Sequence, residues 1–222
     1  TIIFILSEGL IFISGERLAL FFMNLSAVYI ILMLKKYRIY RLWTYLISLS
    51  LIVLLLNFVP NSKERIIEQT MKDFKINTDS YLHFEERIEN KFYIFSKPHT
   101  DMYITAYRIF LDNKFFGVGP RQYRNVCDQY FVSEYSCETH PHNTYMELLS
   151  EAGIFAFLVV AMLFILLSYI SIKHFVLKLN KDKKGIINDL EVCLYSAIII
   201  SLWPFSPSGS FFNNWMSIVY YF

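Results

Sequence analysis

Apolar residues in this chain gather into long runs, and polar residues collect between them. The runs cover residues 1–13, 18–34, 42–59, 154–172 and 192–203. A helix of about 20 apolar residues crosses a bilayer core, so 18–34, 42–59 and 154–172 predict membrane spans, and 192–203 begins another. Residues 204–214 read as a turn, and 215–222 open an apolar run that stops short of a full span. The chain also opens without Met inside an apolar run, so both ends are expected to be cuts in a longer protein.

The polar breaks predict orientation. Lys35, Lys36, Arg38 and Arg41 crowd into the linker 35–41 with no acid among them, and Lys173, Lys178, Lys181, Lys183 and Lys184 follow the third span. Short basic loops stay in the cytoplasm, so the linkers 35–41 and 173–190 point inward and the long segment between them lies outside. Three parts follow: spans over 1–59, a periplasmic loop domain over 60–153, and spans over 154–222 with the last one truncated. The expected fold class is an all-α integral membrane protein, a multi-span helical bundle with a large, partly helical periplasmic loop. Acidic and basic residues are mixed through the loop, which predicts an ordered domain and not a basic tether. A helix from Lys63 to Phe74 would align Ile66, Ile67, Thr70, Met71 and Phe74 on one face. Asp101 or Thr100 would cap a second helix, striped by Tyr103, Ile104, Tyr107 and Leu111.

Composition agrees with the membrane reading. Hydrophobic residues make up 55% of the chain, and mean hydropathy is +0.38, outside the range of a soluble domain. A net charge of +2, with no basic block interleaved with aromatics, excludes a nucleic-acid partner. No cleavable signal peptide is visible. Cys193 falls in an apolar stretch, whereas Cys127 and Cys137 lie ten positions apart in polar surroundings on the external side. A disulfide is the ordinary expectation there, and it would tie the loop that delivers His140 and His142.

Chemistry concentrates at the external boundary. Arg17 follows Gly15 and Glu16 there, as either an anion ligand or a topology-setting cation. Gly117-Val-Gly-Pro120 suits a tight turn with close backbone approach, and Arg121 and Arg124 after it are either phosphate ligands or plain surface residues. The segment His140-Pro-His142-Asn143-Thr144-Tyr-Met-Glu147 precedes the third span. Thr144 and Glu147 fit a capping box, which places His142 just before a helix N-terminus, where the dipole disfavours its protonation. A neutral histidine beside an anion site is a candidate base. Two histidines with one residue between them also suit a metal, but a third ligand at sensible spacing is missing, with His83 and His99 far off in sequence; no metal or other cofactor is expected. Glu151, one turn beyond Glu147, needs a polar partner where the chain enters apolar surroundings.

These residues carry a resemblance. Ser14-Gly-Glu-Arg17, Phe116-Gly-Val-Gly-Pro120, His140-Pro-His142-Asn-Thr-Tyr-Met-Glu147-Leu-Leu-Ser-Glu151-Ala-Gly153 and Pro207-Ser-Gly-Ser-Phe-Phe-Asn-Asn-Trp215, in this order, resemble the C-terminal half of the O-antigen ligase and O-antigen polymerase family. The resemblance implies a metal-independent glycosyltransferase in lipopolysaccharide or surface-polysaccharide assembly, multi-pass in the bacterial inner membrane with its active site facing the periplasm. Its donor glycan rides on undecaprenyl pyrophosphate, and its acceptor is lipid A-core or a lipid-linked glycan, with membrane lipids as further partners. By motif, Arg17 matches the family's arginine after the Ser-Gly element and His142 its loop histidine; Arg121 and Arg124 fall where the family pattern is looser. The expected mechanism is an inverting transfer in which Arg17, with Arg121 or Arg124, holds the pyrophosphate and His142 activates the hydroxyl. His140, Asn143, Glu147 and Glu151 are supporting residues. A protein O-oligosaccharyltransferase of the same family, or a transporter or sensor with a glycan-binding external loop, remains the alternative.

Overall fold

The computed structural model describes residues 2–71, 96–179 and 185–213. Phe74, His83 and Trp215 lie outside the described residues. Among those described there are helices and irregular segments and no strand.

The chain splits into two compact units, Thr1–Ile76 with Leu166–Ser201, and Asn77–Ile165 with Leu202–Phe222. In the first, α1 (Ile2–Ser14), α2 (Arg17–Met33) and α3 (Arg38–Leu55) follow one another through tight breaks. Gly15 turns the chain at φ 73, and its bare Cα lets the Arg65 side chain pack against it. Tyr37, at φ 56, precedes α3. The linker after α2 is therefore shorter than the charge pattern predicts, because Arg38 and Arg41 join the first turn of α3 and reach back. Arg38 Nε and Nη2 donate to the carbonyls of Ile31 and Leu32 at 2.9 and 2.6 Å, and Arg41 Nη2 donates to those of Leu34 (2.8 Å) and Lys36. Cations thus satisfy the orphan carbonyls at the end of α2.

Two buried polar side chains of this unit pair across its helices. Ser48 Oγ donates to Glu8, which is fully buried on α1, and Gly9 beside it faces Leu51 of α3. Ser62, in α4 (Pro60–Lys63), donates to the Ile13 carbonyl at 2.8 Å. One π-helical turn, Glu64–Glu68, continues α4, and its expected apolar stripe finds little to pack on: Ile67 and Met71 are exposed.

The second unit is built on α5 (Lys97–Asp112), whose first turn carries Pro98. Neither Thr100 nor Asp101 caps it. Ser96 holds the N-cap position, the Thr100 hydroxyl donates back to the Ser96 carbonyl at 3.1 Å, and Asp101 is buried a turn inside, accepting from Ser133 Oγ at 2.7 Å. The buried face also differs from the expected stripe. Tyr107 and Leu111 point outward, while Met102, Tyr103, Thr105, Ala106 and Ile109 are buried. Small Thr105 and Ala106 permit close packing, and the Thr105 hydroxyl satisfies itself on the Asp101 carbonyl at 2.9 Å. That placed them inside, against the simple apolar count. Ala106 and Ile109 form a core with Tyr123 of α6 (Tyr123–Val126) and with Cys127, which opens the 3-10 turn Cys127–Tyr130.

The long helix α7 (Thr144–Leu179) is broken at Gly153, which adopts φ 76 and ψ −171. A short helical stretch therefore precedes the break, and a long apolar one follows it. α3 and α7 are long and apolar enough to cross a membrane; α1 and α2 are shorter apolar helices, and α8 (Asp189–Ser201) follows. Val53, Leu54, Val159, Leu163 and Ile165 all expose their side chains, which water would not favour and lipid would.

Candidate functional site

The segment before α7 is organised by Asn143. Its Oδ1 accepts from the backbone N–H of Tyr145 and Met146 at 3.0 and 3.1 Å, which makes Asn143 the helix cap. The capping box expected of Thr144 and Glu147 does not form, because each has a stronger partner elsewhere. Thr144 Oγ1 meets Ser208 Oγ at 3.0 Å, and the fully buried Glu147 accepts from Ser210 Oγ at 2.5 Å and from the Phe211 N–H at 2.8 Å. Asn143 Nδ2 completes the seam on the carbonyls of Pro204 and Ser206 at 3.0 and 3.1 Å. Residues 202–211, which overlap the turn expected over 204–214, are thereby laced along the start of α7. No periodicity signals this pairing, which joins positions some 60 residues apart.

Two histidines stand on this seam. His142 takes φ 52, and its carbonyl accepts the Ser208 N–H at 2.8 Å. His140 Nδ1 meets Thr139 Oγ1 at 2.9 Å, and its Nε2 lies 3.4 Å from the Ser208 carbonyl. Their ring centroids are 4.1 Å apart. Burial pushes both below the ordinary histidine range. The charge of Arg124 pushes His140 further down, against the Ser208 carbonyl and Glu138; His140 pushes His142 further down, against Glu138. Burial thus favours the neutral imidazoles, which are able to accept a proton. His99, dismissed on sequence distance, joins them: its ring centroid is 6.0 Å from that of His142, and its Nδ1 bonds Ser96 Oγ at 2.7 Å. The one signal for it was its place one turn before Tyr103 on α5.

Glu151 finds its polar partners in backbone. It is fully buried and accepts from the N–H groups of Arg121 and Tyr123, the latter at 2.9 Å. Arg121 adopts φ 61 and Arg124 lies on α6, both with exposed side chains. The acid thus holds the turn that presents two guanidinium groups outward. Arg124 lies near enough to act on both His140 and Glu151. The close approach foreseen for Gly117 is to α7: the Val118 and Gly119 N–H groups donate to the Ser150 and Glu151 carbonyls at 3.0 and 2.9 Å.

Cys127 and Cys137 are joined in a disulfide, with Cα atoms 5.3 Å apart. Together with Asp128 they are a grouping of metal-ligating residue types among the described residues, but both sulfurs are committed to each other. Above the seam, Tyr103, Asn143, Tyr145, Phe157 and Phe164 line an apolar cavity of about 380 Å³.

Arg17 belongs to the other unit. It begins α2, is exposed, and its Nη1 lies 3.4 Å from Thr70 Oγ1, while neighbouring Glu16 reaches Arg65 at 3.9 Å.

A sequence profile of the family described as O-antigen ligase matches residues 2–161, well over half of the chain. The teichuronic acid biosynthesis protein TuaE of Bacillus subtilis (strain 168) is 29% identical over 108 residues, which cover 49% of this chain and 22% of that relative. The chain thus spans about a fifth of the length of the curated relative it matches. No solved structure matches.

Proposed function

Because the chain belongs to the O-antigen ligase family, we propose that the protein is a membrane glycosyltransferase of surface-polysaccharide assembly, moving a glycan from undecaprenyl pyrophosphate to an acceptor hydroxyl. The acceptor is lipid A-core for a ligase or a second lipid-linked glycan for a polymerase. The observation that carries this reading is the neutral His142, fixed by the seam between residues 140–147 and 202–211 and flanked by His140 and His99. In this reading the loop 60–153 faces the periplasm and the protein crosses the inner membrane several times.

The chemistry follows from these groups. His142 takes the proton of the acceptor hydroxyl as its oxygen attacks the anomeric carbon. The bond from that carbon to the pyrophosphate oxygen breaks as the new glycosidic bond forms, with inversion at the carbon. Undecaprenyl pyrophosphate leaves with the electron pair, and guanidinium groups stabilise the charge it gains. Arg121 and Arg124 are proposed for this role beside His140, and Arg17 as a pyrophosphate ligand in its own right. No metal is required by this sequence of steps.

The test is incubation of the full-length protein with lipid-linked repeat units, with and without lipid A-core. Glycosylated core identifies a ligase and longer lipid-linked chains a polymerase. The His142→Ala protein should form neither product; wild-type turnover by it would remove the assignment.

A further inference from the structure

A second cavity, of about 250 Å³, opens among the first three helices, walled by Phe4 of α1, by Met23, Ala27 and Ile30 of α2, and by Arg41 and Thr44 of α3. We propose that it holds an anionic glycerophospholipid, with the lipid phosphate on the Arg41 guanidinium and a segment of one acyl chain in the apolar interior. This site is independent of the transfer reaction proposed above.

Arg41 has an unmet need. Its Nη2 is committed to the carbonyls of Leu34 and Lys36, and its Nε is buried with no acceptor. A buried N–H without a partner costs free energy that an arriving oxygen recovers. Phosphate oxygens suit a guanidinium better than any other acceptor available in a bilayer.

Charge points the same way. Lys35, Lys36, Arg38 and Arg41 fall within seven residues, and Lys35, Arg38 and Arg41 are all close enough to Lys178 to act on its charge. Lys178 Nζ itself donates to the Met33 carbonyl at 2.9 Å, and Asp189 is the acid that acts on it. Five cations against that acid leave an excess that a bound anion neutralises. Glu8 lies one turn from Phe4 on α1, but Ser48 holds its carboxyl. Basic pockets between membrane helices bind anionic headgroups for this reason.

The remaining wall selects the source of the phosphate. Phe4, Met23, Ala27 and Ile30 offer nothing to a free ion and suit a hydrocarbon chain. The Ser26 and Thr44 hydroxyls that also line the cavity, beside Tyr45, are engaged by Ser196 Oγ and the Tyr40 carbonyl. The volume is below the ~300 Å³ at which pockets take up whole drug-sized molecules, so it fits a chain segment and leaves the headgroup at the basic rim. With 17 residues in α2 at 1.5 Å each, this end of the helix lies about 25 Å from Arg17. The lipid is therefore a ligand separate from the pyrophosphate proposed for Arg17.

The test is native mass spectrometry of the full-length protein in detergent, titrated with phosphatidylglycerol, phosphatidylcholine or inorganic phosphate. Phosphatidylglycerol should be retained about tenfold more tightly than phosphatidylcholine, and millimolar inorganic phosphate should not displace it. Arg41→Lys keeps a charge but removes Nε, and Ala27→Trp fills the cavity without touching the cation; each should weaken retention about tenfold. Thermal unfolding verifies that both variants are folded, and if Arg41→Lys is not, Ala27→Trp decides alone. Equal retention by a folded variant and the wild type, equal retention of the two lipids, or displacement by inorganic phosphate would each overturn the proposal.

Discussion

The imidazoles of His140 and His142 stand 4.1 Å apart between ring centroids, tilted by 41°, so a proton on one opposes a proton on the other. Burial already pushes both below 6.5. A base that must be neutral should therefore work at full rate through neutral pH and into mild acid. Transfer rate measured from pH 8 to pH 5 should be flat above 6.5 and fall only below it. His140→Gln removes one of the charges acting on His142 and should move the acid limb toward 6.5. The same shifts act on folding: the neutral imidazoles' contribution is complete above 6.5 and is lost as pH falls through their lowered folded values. An acid limb centred above 6.5 in the wild type would contradict this placement of His142.

Asn143 serves two purposes that one substitution separates. Asn143→Asp keeps the oxygen that caps α7 but loses the donors to the Pro204 and Ser206 carbonyls. Each lost bond is worth about 1 kcal/mol, and the carbonyls are left without their partner. Helix content should survive while residues 202–211 detach, so circular dichroism should be unchanged and proteolysis in that segment faster. Glycan transfer should drop at least tenfold. Equal protease resistance in the two proteins would show that the seam does not depend on Asn143.

The disulfide closes ten residues of chain between Cys127 and Cys137. Loop-closure entropy puts its contribution at about 3 kcal/mol. Replacing both cysteines by Ser should lower the unfolding temperature of the wild type to that of the reduced protein, and reductant should then have no further effect. Cys193, exposed and free, supplies the control: Cys193→Ser should leave the melting temperature and its response to reductant unchanged.

Arg17 is exposed, so its replacement should separate binding from stability. Arg17→Lys retains the charge and loses the bidentate fork. Transfer from a pyrophosphate-linked donor should fall about tenfold or more with little change in unfolding temperature. Full activity in Arg17→Lys would leave Arg17 a boundary cation only.

Much of the architecture was legible because it rests on local rules. The apolar runs located the helices, and the placing of Cys127 and Cys137 ten positions apart in polar surroundings foretold their bond. The misreadings have a common physical source. Thr144 and Glu147 match a capping box by spacing, yet Asn143, one residue earlier, caps the helix because Ser208, Ser210 and Phe211 claim the other two side chains. The face of α5 was misjudged for the same reason: Thr105 is polar but satisfied inside by its own helix, and Asp101 is held inside through one oxygen by Ser133 while its other oxygen is buried without a partner. His99 near His142 depends on tertiary packing, which local spacing does not encode.

A close backbone contact in the second unit joins two glycines' segments and carries a stability prediction. A Cβ on Gly117 would lie 2.3 Å from the Glu151 carbonyl carbon, and one on Gly153 would lie 2.2 Å from the Phe115 oxygen. Both obstacles are backbone, which cannot rotate aside, and both glycines hold positive φ. That conformation alone costs an L-residue about 1–3 kcal/mol, and the clash adds to it. Gly117→Ala and Gly153→Ala should each separate the 115–119 turn from α7 and disturb the Glu151 contacts to Arg121 and Tyr123. Gly9→Ala is the control, since its Cβ would meet Leu51 at an ordinary 3.6 Å in the helix α1. Thermal unfolding should show large losses for the first two and almost none for the third. Wild-type unfolding temperatures for Gly117→Ala and Gly153→Ala would mean that the turn and the helix do not meet as closely as described.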